Sequence, residues 1–162
     1  MVDKTTNILF CGTGGQGVLK AAEVACWAAI FAGFHAKKSE VHGMAQRGGS
    51  VESHVRFGRK VFSPLITKGA CDILVPFYPD EEARLRSFLK PGGIDLLPCL
   101  DKFRQKSVPP IFLNTFLLGA LAGQLTLSKE AWMKAIGQEF HNKRLEDNIR
   151  FFLAGWEEEA AA

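Results

Sequence analysis

Two glycine-rich stretches carry the residues whose types and spacing can do chemistry. The first, "GTGGQG" at 12–17, sets Gly12, Gly14 and Gly17 in GxGxxG register, with Gly15 and Gln16 between them. Loops without side chains let backbone N–H groups approach an anion, and a helix opening at the last glycine adds partial positive charge, so the chemistry indicated is phosphate or carboxylate binding. The second, "SEVHGMAQRGGSVESHVR" at 39–56, gathers His42 and His54, Arg47 and Arg56, Glu40 and Glu52, and Gly43, Gly48 and Gly49. There Gly48 and Gly49 free the main chain for close approach, Arg47 offers a fork to phosphate or carboxylate, and His42 can exchange a proton near neutral pH. Each has a plainer reading. The glycines can simply permit tight turns, Arg47 can pair with Glu40 or with an acid across an interface, and His42 can be a hydrogen-bonded structural histidine. Glu52, His54 and Arg56 share one face of an alternating segment and read as a solvated or interface face.

The elements that must position these loops follow from periodicity. "NILFCG" is a short apolar strand, the glycines break it, and a helix runs from Val18 to a stop at Gly33. "FHAKKSEV" reads as a second strand, and "SVESHVRFGRKVFS" alternates and suggests a hairpin turning at Gly58-Arg59. "CDILVPF" is a buried strand, "PDEEARLRSFLKPGG" a helix stopped by Pro91-Gly92-Gly93, and "IDLLPCL" and "PIFLN" two further short strands. Beyond Asn114 everything reads helical, with Trp132, Ile136 and Phe140 along one helix face and Leu145, Ile149, Phe152 and Trp156 along the next. Strands alternating with helices predict an α/β fold: a three-layer α/β/α sandwich on a mostly parallel sheet, with an inserted antiparallel hairpin and a helical C-terminal part. The helices at Val18–Phe31 and Thr115–Leu125 are apolar nearly all round, so they expect burial on several sides, either within the domain or against a permanent protein partner.

Composition bounds the function classes. The 162 residues, 47% hydrophobic and 23% charged, suit one compact domain over residues 1–162. A net charge of +3 with no basic stripe argues against nucleic acid. The charge is local, seven basic residues against two acids between Lys37 and Lys68. Cys11, Cys26, Cys71 and Cys99 sit in apolar runs without CxxC spacing and are expected as buried thiols, with no metal site. No signal-peptide pattern and no membrane-length apolar run occur, so a cytoplasmic location is expected.

A nicotinamide-dependent reductase is one reading of the first loop, with Glu40 as the ribose-binding acid, but no second domain follows to hold a substrate. A free-standing nucleotide- or phosphate-binding module is another. The order of "GTGGQGV", "SEVHGMAQRGGSVESHVRFG", "FSPLITKGACDIL" and "KRLEDNIRFFLAG" resembles the gamma-type domain of thiamine-dependent 2-oxoacid:ferredoxin oxidoreductases, and the long "HGMAQRGGSV" version is most similar to the small beta subunit of indolepyruvate ferredoxin oxidoreductase. The resemblance covers nearly the whole chain. It implies oxidative decarboxylation of a 2-oxoacid, an aryl-pyruvate, to an acyl-coenzyme A. This chain has no GDG…N segment for a magnesium-held diphosphate and no cluster spacing among its cysteines. The resemblance therefore implies an accessory, non-redox subunit, inactive alone, in a hetero-oligomer whose large subunit carries thiamine diphosphate, magnesium and iron–sulfur clusters and passes electrons to ferredoxin. It further implies that Gly12, Gly14, Gly15, Gln16, Gly17, Arg47, Gly48 and Gly49 face the shared cleft and a possible coenzyme A contact, with His42 beside them. Phe77 and Tyr78, where the chain leaves a strand, are either an aromatic lip for substrate or core.

Overall fold

The computed structural model describes residues 4–42, 49–141 and 144–160. Its elements in chain order are β1 (Thr6–Thr13), α1 (Val18–Phe31), β2 (His35–His42), β3 (Ser50–Gly58), β4 (Cys71–Pro76), α2 (Pro79–Leu85), β5 (Leu89–Asp95), α3 (Leu97–Gln105), α4 (Leu113–Gly123), α5 (Lys129–Glu139) and α6 (Leu145–Ala160). The strands lie in the order β2-β3-β1-β4-β5. β1 is central and buried on both faces: Ile8 and Phe10 join the larger core under the helices, while Leu9 and Cys11 join a smaller one on the opposite face.

The α/β class and the antiparallel insertion are as the sequence predicts, and the sheet is evenly mixed. β4 runs parallel to both β1 and β5, whereas β3 runs antiparallel to both β1 and β2. β1 and β2 are thus parallel, joined over one face by α1, and β3 returns to fill the gap between them. The hairpin expected to turn at Gly58-Arg59 is instead the β2–β3 pair, in register from His35↔Gly58 to His42↔Val51. Residues 59–70 cross the sheet face rather than form a strand.

Three other expectations are corrected. The helix over "PDEEARLRSFLKPGG" ends at Leu85, and Pro91, Gly92 and Gly93 lie inside β5. β5 is an edge strand, where proline removes no needed donor. Gly92 takes a left-handed φ of 78° where the pairing with β4 shifts register between Cys71 and Ile73. "IDLLPCL" divides between the end of β5 and the start of α3, because Pro98 is tolerated in a first helical turn and Asp95 accepts the Leu97 N–H at 2.9 Å. "PIFLN" is a single 3-10 turn, Pro110–Phe112, leading into α4.

The layers are unequal. α2 and the segment before β4 cover one face, and α1, α3, α4, α5 and α6 pack on the other. α4 lies against α6, α1 and α3, so its apolar surface is satisfied within the chain. α1 is buried between the sheet and α5, with Ile30 left exposed near its end. Gly33 stops α1 as expected, at φ 93° with its N–H on the Ile30 carbonyl. All four cysteines are free and buried. No helix among the described residues is long and apolar enough to cross a membrane.

Candidate functional site

The topology brings both glycine stretches to one edge. β1 and β2 are parallel and end on the same side, so the loop after β1 and the connection after β2 must adjoin. They do: the Gly14 N–H donates to the Gly49 carbonyl at 3.1 Å. The Gly12–Gly17 loop is a turn closed by the Gln16 N–H on the Thr13 carbonyl, with Gly15 at φ 87° and Gly17 at φ 86°. Left-handed backbone at both positions requires glycine.

Gln16 braces the loop. Its Oε1 accepts the Thr13 N–H at 2.8 Å, and its Nε2 donates to the Phe77 carbonyl at 3.2 Å. It thereby spans the crevice between β1 and β4, where α1 leaves one face of the sheet and α2 the other. Phe77 is fully buried, and its Cβ lies 2.8 Å from where a Cβ on Gly12 would stand, so Gly12 is needed for close packing. Phe77 is therefore core, and Tyr78 stays 40% exposed.

Two recesses flank the loop. One, of 320 Å³, is lined by Thr13, Gly14, Val18, His42 and Val51, which puts His42 beside the first glycine loop. The other, of 580 Å³, lies toward α4 and α6 and includes Gly17, Ile111, Phe112, Asn114, Phe140 and Arg144. Gly15, Gly17 and Lys20 border both. Arg47, Gly48 and Gly43 lie outside the described residues. Glu40, the expected ribose acid, is ion-paired at 2.7 Å to Lys38, which also reaches Glu23 of α1 at 2.9 Å.

Of the two readings of the face bearing Glu52, His54 and Arg56, solvated or interface, the solvated one is corrected, because the segment after β3 and α2 cover it. Arg56 donates to Asn7 Oδ1 and to the Ser63 carbonyl. His54 is buried, with Nδ1 accepting the Ile66 N–H at 3.0 Å and Nε2 3.2 Å from Glu52. Since Nδ1 is an acceptor, the ring proton sits on Nε2 and points to Glu52. Buried Glu81 accepts from Ser50 Oγ at 2.6 Å and from both Nε and Nη2 of Arg84, tying α2 to the start of β3 beside Gly49. Below it, burial pushes the Cys11 thiol up, with Glu81 adding to the effect, so Cys11 is no nucleophile. Burial, together with the hydrogen bond that the protonated Asp95 carboxyl donates to the Glu82 carboxylate, pushes Asp95 up to about 6, while Arg86 holds Glu82 down by a two-pronged contact.

Asn114, Phe140 and Arg144 escaped the sequence reading. Assigning "PIFLN" to a strand hid Asn114, although a lone amide opening the apolar run "NTFLLGALAG" was a usable signal. Asn148 is buried, accepting from Thr115 Oγ1 at 2.5 Å and donating to the Arg144 carbonyl at 3.0 Å, which joins α6 to α4. Among the described residues no group of three His, Cys, Asp or Glu can hold a metal ion.

A sequence model of the pyruvate ferredoxin/flavodoxin oxidoreductase family matches residues 7–158. The chain belongs to this family. Among pyruvate ferredoxin/flavodoxin oxidoreductase relatives, the indolepyruvate oxidoreductase subunit IorB of Thermococcus kodakarensis is 45% identical over 91 residues, covering 56% of this chain and 45% of that protein. The match thus spans about half the length of that relative. The gamma subunit of a keto/oxoacid ferredoxin oxidoreductase from Geobacter sulfurreducens superposes with a TM-score of 0.75 at 28% identity, over 97% of this chain and 99% of that one. The 2-oxoglutarate:ferredoxin oxidoreductase of Magnetococcus marinus shares the fold, with a TM-score of 0.84 at 18% identity over 99% of this chain and 32% of that one.

Proposed function

We propose that this chain is the accessory subunit of a thiamine-diphosphate-dependent 2-oxoacid:ferredoxin oxidoreductase acting on an aryl-pyruvate, and that its glycine-lined edge completes the coenzyme A cleft against a large subunit. The observation that carries this reading is the Gly14–Gly49 hydrogen bond, which joins the two glycine stretches into one edge beside His42 in a chain of this family. The Magnetococcus enzyme of the same fold was solved with coenzyme A and succinyl-CoA bound.

In this reading the residues divide by role. Gly12 and Gln16 set the shape of the loop, while Gly14, Gly15 and Gly17 present backbone to the cleft. Gly48, Gly49 and Arg47 hold either coenzyme A phosphates or the large subunit's chain, and His42 orients that contact by donating or accepting a hydrogen bond. In this reading thiamine diphosphate, magnesium and iron–sulfur clusters supply decarboxylation and electron transfer; the four cysteines of this chain are free and buried, and among the described residues no cluster of His, Cys, Asp or Glu could hold a metal ion. These cofactors belong in this reading to the large subunit, with ferredoxin docking on the complex in the cytoplasm.

The test is purification of the tagged chain with its natural partners, followed by ferredoxin reduction with indolepyruvate and coenzyme A. Both substrates should be required, the chain alone should be inactive, and coenzyme A should raise its Tm through binding to the folded state. Arg47→Ala should abolish that rise with the fold intact. Turnover by the isolated chain, or stabilisation by NAD and not by coenzyme A, would overturn the reading.

A further inference from the structure

We infer that β2 pairs with the β2 of a second copy of this chain, antiparallel about a two-fold axis at Ser39, so that two sheets join into one. The inference concerns the sheet edge and rests neither on the proposed oxoacid reaction nor on the coenzyme A contact.

The two edges of the sheet differ. β5 carries Pro91, the left-handed Gly92 and a register shift against β4, devices that blunt an edge against further pairing. β2 carries none of them. Its eight residues pair with β3 without a break, from His35↔Gly58 to His42↔Val51, and it is the outermost strand. Among the described residues no hydrogen bond reaches the backbone of 36–41 from outside that ladder. Every second N–H and C=O along β2 therefore faces outward, the template that a further strand uses. Lys37 and Lys38 are the charges that could guard this edge, yet both are drawn back onto the chain. Lys37 Nζ donates to the Phe62 carbonyl at 3.3 Å on one face, and Lys38 pairs with Glu40 at 2.7 Å and with Glu23 at 2.9 Å on the other.

Charge fixes the occupant and the register. A two-fold axis normal to the sheet keeps the same face upward in both copies, so residues of the same parity stand opposite one another. Centring on Lys38 sets Lys38 against itself, and centring on Glu40 sets Glu40 against itself; like charges directly opposite repel. Centring on Ser39 sets Lys38 against Glu40 of the second copy on both sides of the axis, with Lys37 against Val41 and Ala36 against His42. The aliphatic stem of Lys37 then covers Val41, which is 41% exposed in the single chain. The run Lys38-Ser39-Glu40 is thus its own complement, which an isologous contact requires and a foreign strand does not.

α1 supplies the flanking contact. Glu23 reaches Lys38, and Trp27 Nε1 donates to Glu23 at 3.0 Å, which places this side of α1 along the β2 edge. Ile30, about one turn further on, is 39% exposed. In the pair the two α1 helices run side by side over the joined sheet, and Trp27 and Ile30 lose water there. The outer side of a helix that is apolar nearly all round is covered in this way.

The experiment is disulfide trapping of the full chain. Ser39→Cys puts two thiols across the axis at the Cα separation of about 4.5–5.5 Å usual for opposed antiparallel residues, within disulfide reach, while the four native cysteines are buried. Under oxidised glutathione most of the chain should become a covalent dimer of twice 17.8 kDa on a non-reducing gel. Val41→Cys, whose counterpart is out of reach because Lys37 stands opposite it, should give less than about a tenth as much. Sedimentation of wild type at about 100 μM should show the doubled mass. Glu40→Lys and Lys38→Glu should each weaken association about 10-fold or more, and an equimolar mixture should restore it, because each variant supplies the charge that the other lacks. Ser39 is half-buried, so Ser39→Cys decides alone if the charge variants fail to fold. The inference is overturned if wild type sediments as a monomer, if Val41→Cys links as well as Ser39→Cys, or if either folded charge variant associates like wild type. A mixture that stays monomeric overturns it as well. So does linking of Ser39→Cys to another polypeptide, in place of its own copy, in the complex purified with its natural partners.

Discussion

Replacing Gly119 by alanine should destabilise the protein although alanine is the better helix former. Gly119 lies in α4, and a Cβ there would fall on the backbone carbonyl of Phe152 in α6, well inside van der Waals contact; a Cβ on Gly155 would meet the Phe116 carbonyl in the same way. Backbone cannot rotate aside, so the two helices must separate by on the order of 1 Å, a gap that forfeits a quarter to a half of each dispersion contact across it. Phe116 and Phe152, both fully buried, pack in that interface, and the strain of inserting a methyl into such packing is about 3 kcal/mol. Against this stands a helix-propensity gain of about 1 kcal/mol. The net effect is a loss of about 2 kcal/mol, or roughly 4–8 °C in Tm for a chain of this size. Gly155→Ala should behave alike, and the double variant should cost less than the two losses added, because one displacement accommodates both methyls. Gly137 in α5 is the control. Nothing lies within 4 Å of its added Cβ, so Gly137→Ala should gain about 0.5–1 kcal/mol. Urea unfolding of the four variants measures all of this. A Gly119→Ala protein within 0.5 kcal/mol of wild type, alongside a stabilised Gly137→Ala, would refute the claim that α4 and α6 meet backbone to backbone.

Gln16→Ala should lower stability by about 1–2 kcal/mol through loss of the bonds to Thr13 and Phe77, and Gln16→Glu should not restore it at neutral pH, since it sets a carboxylate against the Phe77 carbonyl; equal urea midpoints for Gln16→Glu and wild type would contradict the brace. The Asp95 carboxyl is pushed up to about 6, above the usual carboxylate value of about 3.9, so its contribution is full below that lower value and is lost as pH rises through 6. Asp95→Asn keeps an acceptor for the Leu97 N–H and should gain stability relative to wild type between pH 4.5 and 7.5, measured by urea unfolding; a pH-independent difference would refute the shift.

Several local features were legible because their causes are local. The strand at "NILFCG", the helix stop at Gly33 and the last three helices follow from periodicity and punctuation within a few residues. The misread segments are those in which a distant neighbour decides. Pro91-Gly92-Gly93 reads as a helix stop until β5 is known to be an edge strand that can carry a register shift. Glu52, His54 and Arg56 read as a solvated or interface face because nothing in their own alternation announces that residues 59–70 and α2 cover it. The glycine loop was visible as a loop, but the brace that Gln16 makes to Phe77 spans a sequence separation of 61 residues and has no local signature.

The sequence by itself determined the α/β class, the loop–helix unit at Gly12–Gly17 and the burial of the four cysteines, since backbone propensity and side-chain polarity act over one or two turns of chain. Only the tertiary structure decided that β3 returns between β1 and β2, which brings Gly49 to Gly14, and that α4 and α6 close a cavity over Gly17 with Asn114 and Arg144. Strand order and helix contact depend on which apolar faces bury one another across long stretches of chain, and many pairings share the same local pattern until packing selects one.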